Sequence, residues 1–231
     1  MKDKVVIVTG AFGALGQAVA ARLHLAGARL ALIDAAPTAP HPRPDGHANH
    51  LWLAGVDLAD AAATESAVHQ VLARFDRLDG LVNVAGGFRW ETVADGSPAT
   101  WDLMYTMNVK TALHACRAAL PGLRASGTGR IVNIGSGAAS KAGAGMGAYA
   151  ASKSGVLRLT EALAEECKDL GITVNAILPS IIDTPANRRD MPGADTSRWV
   201  PPADLAEVVA FLVSDVARAV TGAAIAVNGR V

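Results

Sequence analysis

A doubly wound α/β fold, one parallel sheet of seven strands with helices on both faces, is what this 231-residue sequence predicts. Two observations carry that reading. Apolar, β-branched runs alternate with segments of helical period from one end of the chain to the other, the pattern of repeated strand–helix units. No composition shift or internal repeat interrupts the alternation, so residues 1–231 read as a single domain.

The elements follow in order. Lys4 to Thr9 (KVVIVT) is the kind of continuous apolar run that forms a strand buried on both faces. Gly10 to Gly16 breaks it before the helical pattern Ala18 to Ala26. Strand, glycine turn and helix in succession form a Rossmann-type opening. The turn, Gly10, Phe12, Gly13, Ala14, Leu15 and Gly16, lets the backbone approach a pyrophosphate, and the free N–H groups of the helix start favour its charge. Leu30 to Asp34 is a second strand ending in an acid. A carboxylate there reaches the adenosine ribose hydroxyls and repels a 2′-phosphate, which favours NAD(H) over NADP(H). Ala35 to Asn49 is a loop rich in Pro, His and Ala. Histidines 41, 47 and 50 have no ligand pattern around them, so a solvated loop is expected and no metal; Arg43 is a candidate for reaching a 2′-phosphate.

Trp52 to Asp57 is the third strand candidate, closed by Asp57 and Leu58. Asp57 is placed to accept from an adenine amino group, or to serve as a helix N-terminal carboxylate. Thr64 to Phe75 is helical, Gly80 to Val84 a strand, Trp101 to Leu123 a long helical segment with Asn108 in it, and Arg130 to Ile134 a strand. A helix spans Ala150 to Leu170, Thr173 to Leu178 is a strand, Pro179 to Pro202 a long connection, Ala203 to Ser214 a helix and Ala224 to Val227 the last strand.

The totals exclude several classes of function. Lys plus Arg and Asp plus Glu are 21 each, with no basic run, against a nucleic-acid surface or an electrostatically held membrane protein. No apolar stretch approaches the length of a bilayer span, and Met1 to Lys4 leads into a strand without a signal-peptide profile. Cys116 and Cys167 have no motif spacing and read as buried thiols, so a cytoplasmic location is expected.

The chemistry concentrates in Ser136 to Lys153. Tyr149 and Lys153 are four apart, one turn of a helix, so the ammonium is expected to favour the phenolate and draw the phenol towards general acid and base work. Ser136 follows the strand ending at Ile134, at the sheet edge where open parallel sheets bind ligands.

With these motifs in order, the chain resembles the short-chain dehydrogenase/reductase family over almost its whole length. The family's TGxxx(G/A)xG turn is matched by Thr9 to Gly16, its NNAG segment by Asn83-Val84-Ala85-Gly86, and its central-helix asparagine by Asn108. Its active-site set is matched by Ser136, Tyr149 and Lys153, and its PGxxxT segment by Pro179 to Thr184. The resemblance implies a hydride-transferring enzyme that interconverts a carbonyl and a secondary alcohol. In it Tyr149 is the acid and base, Ser136 binds the substrate oxygen, Lys153 holds the nicotinamide ribose, and Asn108 positions a water linking Lys153 to solvent. It also implies cofactor contacts at Asn83, Ala85, Gly86, Tyr149, Lys153, Pro179, Ile182 and Thr184.

Ser180 and Val84 depart from the family pattern, which bears on loop shape near the nicotinamide. A narrower similarity to dihydropteridine reductases rests on Ala85-Gly86-Gly87, Gly145-Met146-Gly147 and Asp183 to Arg188 with Met191-Pro192 and Trp199. Those enzymes lack counterparts of Asn108 and Ser136, so the ketone and alcohol reading leads and the pterin reading follows it. A non-catalytic, nucleotide-sensing protein would be expected to have lost one of the four groups. Phe88, Trp90, Met146, Met191 and Trp199 are candidates for an apolar substrate pocket, and Arg188 and Arg189 for meeting an anionic group; Met and Trp serve equally in a core. The resemblance implies a homodimer or homotetramer paired through Trp101 to Leu123 and Ser154 to Leu170. The apolar residues of those segments would equally suit helices packed on their own sheet.

Overall fold

The computed structural model describes residues 1–40 and 49–231. Seven parallel strands form one sheet: β1 (Val5–Thr9), β2 (Arg29–Ile33), β3 (Leu51–Leu53), β4 (Gly80–Asn83), β5 (Arg130–Ile134), β6 (Thr173–Pro179) and β7 (Ala224–Val227), in the order β3-β2-β1-β4-β5-β6-β7. The chain winds outward from β1 in one direction, then from β4 in the other. The switch between β1 and β4, paired Thr9 to Asn83 at their C-terminal ends, is where such sheets open a crevice.

Side-chain alternation along β1 builds the two layers. Val6 and Val8 face one side, where α1 (Ala14–Leu25) packs on α7 (Pro202–Leu212) through Val19, Leu23, Leu205 and Val209. Val5 and Ile7 face the other, under α2 (Ala61–Phe75), α4 (Thr111–Ser126) and α5 (Gly147–Cys167). Every residue of β1, β4, β5 and β6 is buried, the condition that continuous apolar runs predict for strands covered on both faces. Ala112, Cys116, Val156 and Leu163 are buried against the chain's own sheet, while Leu113 and Leu159 are half-buried.

Several details differ from expectation. The third strand stops at Leu53, because Gly55 turns the chain at φ +71° and Val56 N–H returns to the Asp34 carbonyl. The central helix begins earlier, at α3 (Pro98–Tyr105). Ser97 caps it by accepting from Ala99 N–H, and Pro98 takes a first-turn position where no N–H is needed. Between α3 and α4 lies a π-helical turn, Thr106–Lys110, which no local sequence signal marks. The connection after β6 contains a short helix, α6 (Pro185–Asp190), started by Thr184, whose hydroxyl accepts from Asn187 N–H. His41, Arg43 and His47 lie outside the described residues. His50 does not belong to a solvated loop: it is 9% exposed, and its Nδ1 accepts from Leu30 N–H at 3.2 Å. No helix among the described residues is long and apolar enough to cross a membrane.

Candidate active site

At the C-terminal edge of the sheet the glycine turn, the end of β2, the segment after β3, the segment after β4 and the start of α6 enclose a cleft of about 800 Å³. Gly10, Phe12, Gly13, Ala14, Leu15, Gly16, Asp34, Asp57, Leu58, Ala85, Gly86 and Thr184, all expected from sequence, line it together. Gly10 has φ +60°, and a Cβ there would stand 2.7 Å from Ala85 N, so the turn and the β4 loop meet through a position only glycine fills without strain. Asp34 is held in place: Oδ2 accepts from Phe12 N–H and Oδ1 from Ala36 N–H, each at 2.9 Å. Asp57 accepts from Ala59 N–H at 2.8 Å, and both Asp57 and Asp34 border the cleft.

Not every expected cofactor residue borders this space. Asn83 is buried beneath it, where Nδ2 donates to Asn133 Oδ1 at 2.9 Å and Asn133 Nδ2 donates to Thr160 Oγ1 at 2.9 Å. It ties β4 to β5 and α5 from below. Ile182 and Pro179 also stand outside the cleft lining. Ile182 packs on the core, and its bridge to Val200 fixes the segment leading to Thr184. Sequence reasoning missed Met107 on the π-helical turn, Thr111 at the start of α4, Pro185 and Ala186 on α6, and Ala35, Ala36, Val56 and Ala59 as lining residues.

Beside the cleft, the four candidate catalytic residues are brought together by β5, the π-helical turn and α5. Lys153 is 6% exposed, and Nζ donates to the Ile134 carbonyl at the end of β5, 2.8 Å away. Asn108 is 1% exposed. Its Oδ1 accepts from Gly87 N–H at 2.9 Å, and its Nδ2 donates to the Gly87 carbonyl at 3.0 Å and to Ser152 Oγ at 2.9 Å. Ser152 in turn donates to the Tyr149 carbonyl, so Asn108 is tied to the first turn of α5. A Cβ on Gly86 would lie 2.5 Å from Asn108 Oδ1 and 3.4 Å from Lys153 Nζ, so the absence of a side chain there lets the two groups share one pocket. The Asn108 amide thus ties the loop after β4 to α5 through Gly87 and Ser152.

The electrostatics correct one expectation. Burial pushes the Tyr149 phenol above its ordinary value, and the opposing pull comes from Ser136. Lys153 Nζ stands 5.9 Å from the centre of the Tyr149 ring, and its own pKa falls to about 8 because burial disfavours the charged form. The lysine is turned to the Ile134 carbonyl, and the groups that shift the phenol are its burial and Ser136.

The candidate substrate residues divide. Phe88 meets Tyr149 edge to face, with ring centroids 4.9 Å apart, and Trp90 Nε1 donates to the Ala144 carbonyl at 3.0 Å, so both flank the approach to α5. Met146 stands at the N-cap of α5, three residues before Tyr149, and Met191 at the C-cap of α6. Trp199 is 5% exposed and belongs to the core, because Val200 N–H bonds to the Ile181 carbonyl and draws this segment under the sheet edge. Arg188 forks onto Asp183, at 2.6 and 2.8 Å, in an exposed ion pair outside the cleft lining. Arg189, its neighbour, lines the cleft.

A doubly wound parallel sheet with a glycine turn facing a cleft at the switch point defines a nucleotide-binding α/β protein. A family profile described as short chain dehydrogenase matches residues 4–194. The 2-(S)-hydroxypropyl-CoM dehydrogenase 3 of Xanthobacter autotrophicus is 34% identical, over 99% of this chain and 96% of its own length. The D-threitol dehydrogenase of Mycolicibacterium smegmatis is also 34% identical, over 99% and 93%. Among solved structures, a 3-ketoacyl-(acyl-carrier-protein) reductase from Brucella melitensis, complexed with NADH, superposes with TM-score 0.87 at 28% identity, covering 99% of this chain and 98% of that one. The chain belongs to the short-chain dehydrogenase family: it is an oxidoreductase of alcohols and ketones.

Proposed function

We propose that this enzyme interconverts a secondary alcohol and its carbonyl by hydride transfer with NAD(H), and that Tyr149 is the general acid and base. The observation that carries the reading is the convergence of Tyr149, Lys153, Ser136 and Asn108 beside the cleft, next to its lining residue Gly86. The residues fit such a cofactor. The cleft is about 800 Å³ and lined by the glycine turn, and Asp34, with one backbone bond to each oxygen, retains lone pairs for ribose hydroxyls. The same carboxylate supports NAD(H) over NADP(H), since a 2′-phosphate beside it meets a like charge. The names of the relatives, two alcohol dehydrogenases and a ketoacyl reductase, support the reaction class.

When bound, the nicotinamide supplies or accepts the hydride. The protein supplies the proton and the geometry. Ser136 and Tyr149 hydrogen-bond the substrate oxygen; in reduction the Tyr149 hydroxyl gives that oxygen its proton, and in oxidation the phenolate takes it back. Lys153 leaves the Ile134 carbonyl to hold the nicotinamide ribose hydroxyls. With polar partners on several sides its ammonium is favoured, and only then does it lower the Tyr149 pKa. Asn108, through Gly87 and Ser152, holds the loop and the first turn of α5 at fixed distance. Phe88 and Trp90 border the substrate side, where an apolar group fits beside the phenol. A cytoplasmic enzyme assembled as a homo-oligomer completes the proposal, and light scattering checks the assembly.

The test is a panel of ketones, 3-oxoacyl thioesters, secondary alcohols, sugar alcohols and quinonoid dihydropterin, followed by NADH absorbance. Turnover of a ketone or alcohol supports the reading. Turnover confined to the dihydropterin, or binding of NADH without turnover of any member, overturns it.

A further inference from the structure

The charges around the cleft are unevenly placed. Asp34 and Asp57 border it, the glycine turn from Gly10 to Gly16 contains no Lys or Arg, and Arg189 is the one basic residue among the described residues that line it. A dinucleotide brings two negative phosphates into that space. The N-terminus of α1 offers N–H groups and roughly half an elementary charge, which leaves most of the pyrophosphate charge without a partner. We propose that Arg189 is that partner: it closes from α6 onto the pyrophosphate of the bound cofactor.

The geometry of α6 explains why Arg189 serves and Arg188 does not. Arg188 Nε and Nη2 bond both carboxylate oxygens of Asp183, at 2.6 and 2.8 Å. Asn187 is held twice, its N–H by the Thr184 hydroxyl at 3.2 Å and its Nδ2 by the Ile182 carbonyl at 2.8 Å. These bonds pin the turn, and the next residue along the helix points a different way, into the cleft beside Thr184, Pro185 and Ala186. Arg189 has no ion pair among the described residues and is exposed, so its guanidinium needs no exchange of partners to meet a ligand. A planar fork of N–H donors suits two phosphate oxygens, which a lysine contacts only as a point charge.

This inference rests on the cofactor reading above, and the experiment separates the two. Binding of NADH, NADPH and ADP-ribose is measured by calorimetry for the wild type, Arg189→Gln and Arg189→Lys, with substrate KM at saturating NADH alongside. Arg189→Gln is expected to weaken NADH and ADP-ribose by the same factor, about tenfold, with Arg189→Lys in between. The loss should shrink at about 0.5 M salt, and the NADH to NADPH ratio and the substrate KM should stay as they were. Unchanged ADP-ribose affinity in Arg189→Gln overturns the inference while leaving the cofactor reading intact. So does a loss confined to NADPH, which would assign the residue to a 2′-phosphate, or a rise in substrate KM alone, which would assign it to an anionic substrate. Failure of the wild type to bind ADP-ribose overturns the cofactor reading itself.

Discussion

Replacing Lys153 by methionine should make the protein more stable and inactive at once. The ammonium is 6% exposed and its hydrogen bond to a side or main chain is the one to Ile134 at 2.8 Å. A pKa lowered from 10.5 to about 8 by burial corresponds to about 3 kcal/mol of preference for the neutral amine. Methionine fills similar space without a charge and gives up one hydrogen bond, about 1–2 kcal/mol. The variant should therefore gain about 1–2 kcal/mol at pH 7, roughly 5 °C in Tm for a domain of this size. The sign follows from proton counting. Between about pH 8 and 10.5 the unfolded chain holds one more proton at this lysine than the folded chain does, so wild-type stability rises with pH through that window. The advantage of Lys153→Met is full below about 8 and closes towards 10.5. Urea unfolding of both proteins at pH 7, 8.5 and 10 reads it directly. A variant that is less stable than wild type at pH 7, or whose difference from wild type does not change with pH, refutes the reasoning.

Gly86→Ala should displace Asn108 and Lys153, since its Cβ would stand 2.5 Å from Asn108 Oδ1; we expect a loss of about 1–3 kcal/mol in unfolding and of most turnover, read by Tm and NADH oxidation. Asp34→Ser removes the carboxylate that accepts from Phe12 and Ala36 N–H and repels a 2′-phosphate. The ratio of kcat/KM for NADH over NADPH should fall by about tenfold or more, and a wild type that prefers NADPH would contradict the role given to Asp34. With Tyr149 as acid and base, alcohol oxidation should climb with pH and ketone reduction fall over the same range, as phenol gives way to phenolate, which a pair of pH–rate profiles checks.

The parts that were legible in the sequence are those where a local pattern has one physical meaning. Val5 to Thr9 and Arg130 to Ile134 read as strands because runs of apolar residues without alternation suit a sheet covered on both faces. The glycine turn and Asp34 were legible because a break after such a strand and an acid after the next fall at the same edge. What was illegible depends on contacts distant in sequence. Nothing near Thr106–Lys110 announces a π-helical turn, yet the turn positions Asn108 against Gly87. Trp199 and Arg188 have the composition of a binding site, and were diverted by bonds to Ile181 at one remove and to Asp183. The tyrosine and lysine spacing predicted a lowered phenol pKa. The folded chain turns Lys153 to a carbonyl on β5, a partner that periodicity cannot name.

The most direct measurement on the proposed chemistry is a comparison of wild type with Tyr149→Phe, using NADH binding and turnover of one accepted ketone. The substitution removes only the hydroxyl and keeps the ring that Phe88 meets at 4.9 Å. With Tyr149 as the proton donor, kcat falls by about 10²–10⁴-fold while the Kd for NADH stays within about twofold. A Tyr149→Phe enzyme that keeps wild-type kcat would contradict the assignment of the proton to this phenol.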